Sequence, residues 1–152
     1  SIGEGSRIDD FTIIASSGGE VNIGKNVHLA GHSLISGGGG VVISDFSGLS
    51  HGVKIYSSSD DYSGDFLTNP TVPIELRNPK VQEIHISKHC IIGANTVVLP
   101  GVKLGEGVAV GALSLVANSL KPWAIYQGVP ARRIKHRNKK LLELEEWVRD
   151  NE

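Results

Sequence analysis

Aliphatic residues recur at every sixth position along most of the chain. The repeat begins with Ile2, Ile8 and Ile14, and later series keep the same spacing. Its further members are Ile23, Leu29, Ile35, Ile43, Leu49, Ile55, Ile86, Ile92, Val98, Leu104, Val110 and Val116. Neither the 3.6-residue period of a helix nor the simple alternation of a strand produces a period of six. The pattern therefore predicts a stack of short repeated units, each of which buries its aliphatic residue against the next unit.

Glycine and asparagine follow the aliphatic positions. Examples are Gly3-Glu4-Gly5, Gly24-Lys25-Asn26, Gly93-Ala94-Asn95 and Gly105-Glu106-Gly107. These residue types adopt left-handed backbone conformations at low cost, so a corner is expected once in every repeat. Short strands between the corners give a triangular coil, and successive coils stack as parallel strands. The sequence thus predicts an all-β solenoid, because a β-sandwich with glycine-rich turns would not hold one frame over so many repeats.

The frame is interrupted in three places. Residues 15–22 and 36–42 shift it only slightly and are interpreted as bulges at corners. Residues 60–83 contain no repeat but carry Pro70, Pro73 and Pro79, which predicts a loop extruded from the coil. Long loops on compact scaffolds often carry function. We expect a solenoid domain over residues 1–135 that includes this extruded loop.

The periodicity changes near the end of the chain. Leu141, Leu144, Trp147 and Val148 form a helical stripe, so residues 136–152 are expected to contain a C-terminal α-helix. The last coil of a solenoid would otherwise expose strand edges and apolar surface. The helix is therefore expected to cap that end.

Composition narrows the choice of partners. The net charge of −1 gives no reason to expect nucleic acid or an anionic membrane as a partner. The single cysteine, Cys90, excludes an internal disulfide and fits a reducing cytoplasm. No apolar stretch is long enough to span a membrane, and no signal peptide is visible. The chain begins at Ser1 and contains no methionine, so we expect further residues upstream.

Together, the repeats, the loop and the tail Gly128-Val129-Pro130-Ala131-Arg132 resemble the hexapeptide-repeat acetyltransferases. The most similar branch comprises the galactoside, maltose and xenobiotic acetyltransferases and their relatives in bacterial surface-polysaccharide gene clusters. The resemblance is most specific over residues 92–102 and in the tail. It implies a left-handed parallel β-helix and a cytoplasmic homotrimer. It also implies that acetyl-CoA, the co-substrate, lies between subunits and that the acceptor is a small sugar-like molecule.

The resemblance implies a catalytic base where the loop begins, but this chain departs from the family there. The position that holds a histidine in the family corresponds to Asp60. An ordinary aspartate is a weak base for a sugar hydroxyl, although the neighbouring Asp61 could raise its pKa by repulsion. The departure favours an amino-sugar acceptor and leaves N- and O-acetylation both open. His51 is the alternative base.

Other site residues follow from the same resemblance. Gly111, Ala112 and Ser114 lie on the last coil, where small side chains would let the pantetheine arm approach the backbone. Arg132 and Arg133 fall where the family's tail approaches the CoA phosphates, which guanidinium groups bind well. The acceptor pocket is expected to include the loop residues Tyr62, Phe66 and Asn69. Each group also has a purely structural explanation. The small residues would simply be needed at tight corners, the arginines would form a solvated basic end, and the three loop residues would anchor the loop.

The histidines give no sign of a metal site. His28, His32, His85 and His89 are expected on solvated faces, and the His-x₄-His pair of the related γ-class carbonic anhydrases is absent. The favoured function is acetylation of a sugar or a nucleotide-linked amino sugar in O-antigen, lipopolysaccharide or capsule biosynthesis. The alternatives are O-acetylation of a glycoside or other small hydroxyl compound, and a non-catalytic β-solenoid scaffold. A scaffold would need neither the loop nor the tail.

Overall fold

A computed structural model of the protein describes residues 1–151. The described chain contains a 3₁₀ helix, Ile74–Leu76, and one α-helix, α1 (Leu141–Asp150). The strands are β1 (Arg7–Ile8), β2 (Ile13–Ala15), β3 (Val21–Ile23), β4 (His28–Leu29), β5 (Leu34–Ser36), β6 (Val41–Ile43), β7 (Gly48–Leu49), β8 (Lys54–Tyr56), β9 (Ser58–Ser59), β10 (Lys80–Val81), β11 (Ile84–Ile86), β12 (Ile91–Ile92), β13 (Val97–Val98), β14 (Lys103–Leu104), β15 (Ala109–Val110), β16 (Leu115–Val116), β17 (Ala124–Gln127) and β18 (Arg132–His136).

Most of the strands belong to three sheets that surround one core. The first sheet has the order β3-β6-β11-β14, the second β1-β4-β7-β12-β15-β17-β18, and the third β2-β5-β8-β13-β16. Within each sheet the neighbours are parallel, except that β18 runs antiparallel to β17. Each turn of the chain thus adds one strand to each sheet, which is the construction of a parallel β-helix.

The six-residue repeat forms the core, as predicted. Its members stand opposite one another in adjacent coils: Ile43 pairs with Ile23 and Ile86, and Leu49 pairs with Leu29 and Ile92. From Ile23 onward every repeat position is buried. In the first coil Ile2, Ile8 and Ile14 are exposed, because no coil of the described chain covers them.

The corners explain the glycine and asparagine pattern. Asn26 and Asn95 have φ values of +53° and +57°, the left-handed conformation that asparagine tolerates. Gly93 meets a different constraint, because a Cβ atom there would lie 2.4 Å from the backbone nitrogen of Ala112 in the next coil. The corners therefore stack backbone against backbone, and a side chain at such a position would separate the coils.

The extruded loop leaves the coil through a small antiparallel ladder. β9 and β10 form it, with Ser59 opposite Lys80 and Ser58 opposite Val81. Beyond the ladder the loop is ordered by its own contacts, since the Leu67 N–H donates to the Leu76 carbonyl at 2.9 Å. The predicted loop is confirmed, and its base lies beside the outer face of the third sheet.

The C-terminal helix is present, but the cover of the last coil comes from a strand. β18 pairs with β17 at the edge of the second sheet. α1 packs instead against the side of the coils, near Phe46 and His89. Within residues 1–151, no helix is long and apolar enough to cross a bilayer.

The packing face of α1 differs from the predicted apolar stripe. Leu144 and Trp147 are exposed, whereas Glu145 is buried. The Oε2 atom of Glu145 lies 2.6 Å from Nε2 of His89, and both side chains are about 5–6% exposed. The prediction that His89 is solvated was therefore wrong. Its ring stacks on Phe46 and lies near Trp123, so the histidine fills a corner of the coil.

Candidate functional site

A cleft of about 590 Å³ opens between the extruded loop and the outer face of the third sheet. Asp60 lines it together with polar and aromatic side chains of the loop. The full set is Tyr56, Ser58, Ser59, Asp60, Tyr62, Pro70, Arg77, Pro79, Val97 and Leu99. Because β8 and β13 supply one wall and the loop supplies the other, the shape of the cleft depends on how the loop is anchored.

Asp60 is held by two different segments of the loop. The backbone N–H of Asn69 donates to Oδ2 of Asp60 at 3.0 Å, and Nη2 of Arg77 donates to Oδ1 at 3.2 Å. The Asp60 side chain is 33% exposed, so it remains accessible from the cleft. A fixed, partly exposed carboxylate can accept a proton from a bound cation or orient a protonated nucleophile.

Asp61 is engaged locally. Its Oδ1 atom accepts hydrogen bonds from the hydroxyl and the backbone N–H of Ser63, and Nδ2 of Asn78 donates to Oδ2. The hydrogen bond from the Ser63 hydroxyl, followed by that from its N–H, holds the pKa of Asp61 below its ordinary value. The arrangement is an Asx-type turn, which makes Asp61 a weaker base than an ordinary aspartate.

His51 lies outside the Asp60 cleft of the same chain. It is exposed at the corner between β7 and β8, where it lines a separate concavity with Asp10, Phe11 and His32. The strand β8 and its flanking residues lie between the two positions, and the two concavities share no lining residue. Within one chain the structure therefore does not bring His51 and Asp60 together.

The loop residues expected at the acceptor pocket have three different positions. Tyr62 lines the cleft and is 92% exposed. Phe66 is exposed but is not among the lining residues. Asn69 adopts φ +70°, and its side-chain oxygen accepts the N–H of Thr71 at 2.9 Å, so it shapes the turn that presents its own N–H to Asp60.

The small residues of the last coil are packed against the tail. The hydroxyl of buried Ser114 donates to the Gly111 carbonyl at 2.7 Å and accepts the Gly128 N–H at 3.1 Å. That hydroxyl is thus used within the fold, whereas Ala112 is exposed at the surface. Arg132 and Arg133 are exposed on β18, opposite Gln127 and Tyr126. The two arginines therefore lie beside the last coil, and their contact with the CoA phosphates stays a prediction.

Neither Cys90 nor any metal cluster offers alternative chemistry in the described chain. Burial raises the pKa of the Cys90 thiol to about 11, which keeps it protonated and unreactive. Among residues 1–151, no group of three or more histidine, cysteine, aspartate or glutamate side chains could hold a metal ion.

Arg77 is the site residue that sequence reasoning missed. Its side chain lines the cleft, is 15% exposed and pairs with Asp60. A signal was available, because Arg77 is the sole arginine between Arg7 and Arg132. Its pairing with a residue seventeen positions earlier depends on the fold of the loop, which carries no repeat to predict it.

Comparisons with known proteins place this geometry in a family. The profile described as "Bacterial transferase hexapeptide (six repeats)" matches residues 83–118. A dTDP-4-amino-4,6-dideoxy-D-glucose acyltransferase from Escherichia coli is 46% identical over 145 residues, covering 95% of this chain and 76% of that protein. WbbJ of Escherichia coli K12, assigned to lipopolysaccharide biosynthesis as an O-acetyl transferase, is 32% identical over 90% of this chain and 68% of its own.

Solved structures of similar proteins point to the same family. The crystal structure of AntD, an N-acyltransferase from Bacillus cereus in complex with dTDP and 3-hydroxybutyryl-CoA, superposes with a TM-score of 0.94. The two sequences are 43% identical, and the match covers 99% of this chain and 79% of AntD. The fold of this chain is the left-handed parallel β-helix of hexapeptide-repeat proteins. The chain belongs to the bacterial hexapeptide-repeat transferases and is an acyltransferase, which removes the scaffold alternative.

Proposed function

We propose that the protein transfers an acyl group from an acyl-CoA to the amino group of a dTDP-linked 4-amino-4,6-dideoxyhexose. The observation that carries the proposal is the fixed carboxylate of Asp60 in the loop cleft, where the wider family has a histidine. The 46% identity to a dTDP-4-amino-4,6-dideoxy-D-glucose acyltransferase supports the acceptor. AntD, solved with 3-hydroxybutyryl-CoA, supports a CoA thioester as donor.

The chemistry suits an amine better than a hydroxyl. The amine lone pair attacks the thioester carbonyl, forming the C–N bond, and the electron pair of the C–S bond leaves with the CoA sulfur. Asp60 accepts the proton that nitrogen loses, and this proton then passes from Asp60 to the departing thiolate to give the CoA thiol and restore the carboxylate. An aspartate can orient an ammonium group and receive its proton, whereas a sugar hydroxyl is far less acidic and needs a stronger base.

A spacing shared with AntD supports the placement of Asp60. Solved AntD variants carry one replaced aspartate or one replaced serine, and these positions are ten residues apart. In this chain a serine precedes an aspartate by ten residues at one place alone, Ser50 and Asp60. Ser50 lies at the corner before β8, beside His51. We therefore add Ser50 to the candidate site.

We further propose that the site is shared between copies in a homotrimer. Ser50 precedes β8 and Asp60 follows β9, and Ser50 is not among the residues that line the Asp60 cleft of its own chain. The outer face of that sheet carries one ladder of five residues, in which Lys54 is the single charged member and the others are Ile13, Leu34, Val97 and Leu115. Such a mostly apolar surface is typical of an interface, and it would bring the Ser50 corner of one copy to the Asp60 cleft of the next.

The donor is proposed to lie along the last coils. Gly111 and Ala112 would border the pantetheine arm, and Arg132 and Arg133 would contact the CoA phosphates. Tyr62 would contact the acceptor at the mouth of the cleft. Because acyl-CoA and nucleotide sugars are cytoplasmic metabolites, we place the enzyme in the cytoplasm, in the supply of acylated sugars for surface polysaccharides.

A direct assay tests the proposal. The purified protein is incubated with dTDP-4-amino-4,6-dideoxyglucose and either acetyl-CoA or 3-hydroxybutyryl-CoA. CoA thiol release is followed by a thiol reagent and the product by mass spectrometry. We expect thiol release that depends on the amino sugar, and a product whose mass has increased by one acyl group. Absence of turnover with both donors and this acceptor would refute the proposal.

O-acetylation in lipopolysaccharide biosynthesis is the second candidate, favoured by the 32% identity to WbbJ. The same assay separates the two functions when the 4-amino sugar is replaced by dTDP-glucose, which offers hydroxyl groups alone. Turnover with dTDP-glucose that equals or exceeds turnover with the amino sugar would favour the O-acetyltransferase.

A further inference from the structure

The backbone of Arg77 is held in place by hydrogen bonds within the loop. It follows the 3₁₀ helix Ile74–Leu76, and its backbone N–H donates to the Ile74 carbonyl at 3.1 Å. It also forms a parallel bridge with Leu67. The start of the side chain is thereby set by the internal structure of the loop, and the guanidinium enters the cleft from a defined direction.

The guanidinium carries an unusual polar atom. The Nε atom of Arg77 is buried and has no hydrogen-bond partner within the described chain. A buried donor without a partner destabilises the fold, and such groups are rare outside functional sites. Anchoring the loop would not require an arginine in this position, because a shorter donor or an apolar side chain could pack there without the penalty.

The two donors to Asp60 bind different carboxylate oxygens. The Asn69 N–H fixes Oδ2, while Nη2 of Arg77 fixes Oδ1 and places a positive charge beside the carboxylate. Asp60 thus has one neutral donor and one cationic donor, and each carboxylate oxygen has a donor of its own. Hydrogen bonds in which both partners are charged are stronger than neutral ones, so Arg77 contributes more to the orientation of the carboxylate.

Other titratable groups near the cleft do not supply a second cation. Those that line it besides Asp60 and Arg77 are Tyr56 and Tyr62, with Asp61 next along the chain. The lysines of the flanking strands, Lys54 on β8 and Lys80 on β10, are not among the lining residues. Within the described chain, Arg77 is therefore the cation of the cleft.

The geometry points to Arg77 as the positioning residue for Asp60: it holds the carboxylate aimed at the acceptor amine. This inference rests on the proposed function and assigns a role to a residue seventeen positions from the base. Arg77 acts through Asp60 and does not itself exchange a proton. Loss of its contact should therefore lower kcat while the KM for acyl-CoA stays nearly constant, and a lysine at the same position should restore activity, which the loss of a structural anchor would not do.

The test compares Arg77→Met with Arg77→Lys and measures kcat and KM with the amino-sugar acceptor. Arg77→Met should lower kcat about tenfold or more and leave the KM for acyl-CoA within about twofold. Arg77→Lys keeps a cationic donor beside Asp60 and should restore a large part of kcat. Arg149→Met, which removes an arginine paired with Glu145 outside the cleft, is the matched control.

A double substitution makes the role falsifiable even where the loop is weakened. In the Asp60→Asn background, Arg77→Met should cause little further loss of kcat, because the residue works through Asp60. An equal loss in both backgrounds, or a kcat in Arg77→Lys as low as that in Arg77→Met, would overturn the inference. An inactive parent enzyme would instead refute the proposed function, so the two failures are distinguishable.

Discussion

Asp60 is the residue on which the proposed chemistry depends most directly. Asp60→Asn keeps the size of the side chain but removes its capacity to accept a proton, and we expect turnover to fall roughly 100-fold. The KM for acyl-CoA should change little, since the proposed donor contacts lie on the last coils. Steady-state kinetics with the amino-sugar acceptor measure both.

The companion variant is His51→Asn, because His51 is the alternative base and in the proposed homotrimer would lie beside Ser50 at the cleft of the neighbouring copy. If Asp60 is the base, His51→Asn should be much milder than Asp60→Asn. The amide in Asp60→Asn offers one acceptor oxygen where the carboxylate offers two, so a thermal melt should confirm that the variant is folded. A nearly silent Asp60→Asn with a severe His51→Asn would identify His51 as the base. Two mild variants would indicate an amine that arrives deprotonated and needs positioning alone.

Arg132 and Arg133 are exposed residues whose proposed role is binding. The Arg132→Ala and Arg133→Ala variants should each raise the KM for acyl-CoA by up to about tenfold and leave kcat nearly unchanged, because phosphate contacts remote from the reaction stabilise ground and transition states equally. Lys135→Ala on the same strand is the control. Identical acyl-CoA saturation in all three variants and the parent would remove the arginines from the donor site.

Residue-level prediction from the sequence succeeded where position in the repeat determined the environment, since every repeat position from Ile23 onward is buried. The resemblance gave Asp60 its slot at the start of the loop, where the side chain lines the cleft, and its catalytic role stays a prediction. It could not indicate that the Ser114 hydroxyl is used by Gly111 and Gly128, or that Arg77 reaches Asp60. These contacts join segments whose relative position is set by tertiary packing and is not periodic.

At the scale of elements, the coils were predictable because one period specifies both the buried positions and the corners. The helix was harder to place. Its sequence shows an apolar stripe, yet Glu145 is the residue that packs deepest, because His89, Lys88 and Arg149 surround its carboxylate. A hydrophobic pattern does not predict that a charged residue is buried, because its burial depends on partners from other segments.

The contact between α1 and the coils predicts a pH-dependent stability. Burial alone would raise the pKa of Glu145, but hydrogen bonds from Arg149 and His89 outweigh it and hold the pKa below its ordinary 4.5. A lowered pKa in the folded state means that the stabilisation is present above pH 4.5 and is lost as the pH falls through the folded value. Glu145→Gln should therefore lower the free energy of unfolding by about 1–3 kcal/mol at pH 7.

Denaturant unfolding of the parent and of Glu145→Gln at pH 7 and at lower pH measures this difference, which should shrink as Glu145 in the parent becomes protonated. Glu146→Gln, on the exposed side of the same helix, should have little effect at either pH. A constant difference between the parent and Glu145→Gln across the range would show that the carboxylate charge is not what secures the helix.

At the scale of the whole molecule, the two candidate site residues Ser50 and Asp60 are separated within one chain. Each copy carries both Ser50 and Asp60, yet β8 and its flanking residues hold them apart. The mostly apolar ladder of the third sheet and the exposed Phe11 and Leu113 at its margin supply a surface for self-association. If the reaction centre forms where the Ser50 corner of one copy meets the Asp60 cleft of another, activity is a property of the assembly, and a folded monomer would be inactive.

Mixing two variants, Asp60→Asn and Ser50→Ala, that should each lose most activity if both residues belong to the site tests this arrangement. Asp60→Asn and Ser50→Ala are unfolded together in equal amounts and refolded into mixed homotrimers, whose size is checked by light scattering. A shared site needs an intact Asp60 from one copy and an intact Ser50 from its neighbour, so about a quarter of the sites should be complete and activity should return to that level.

The variants refolded separately and then combined are the control, and they should stay inactive. If the site lay within one chain, every mixed trimer would still lack one residue at each site, and no activity would return. A monomer in light scattering at micromolar concentration would count against the assembly itself, whatever the activity.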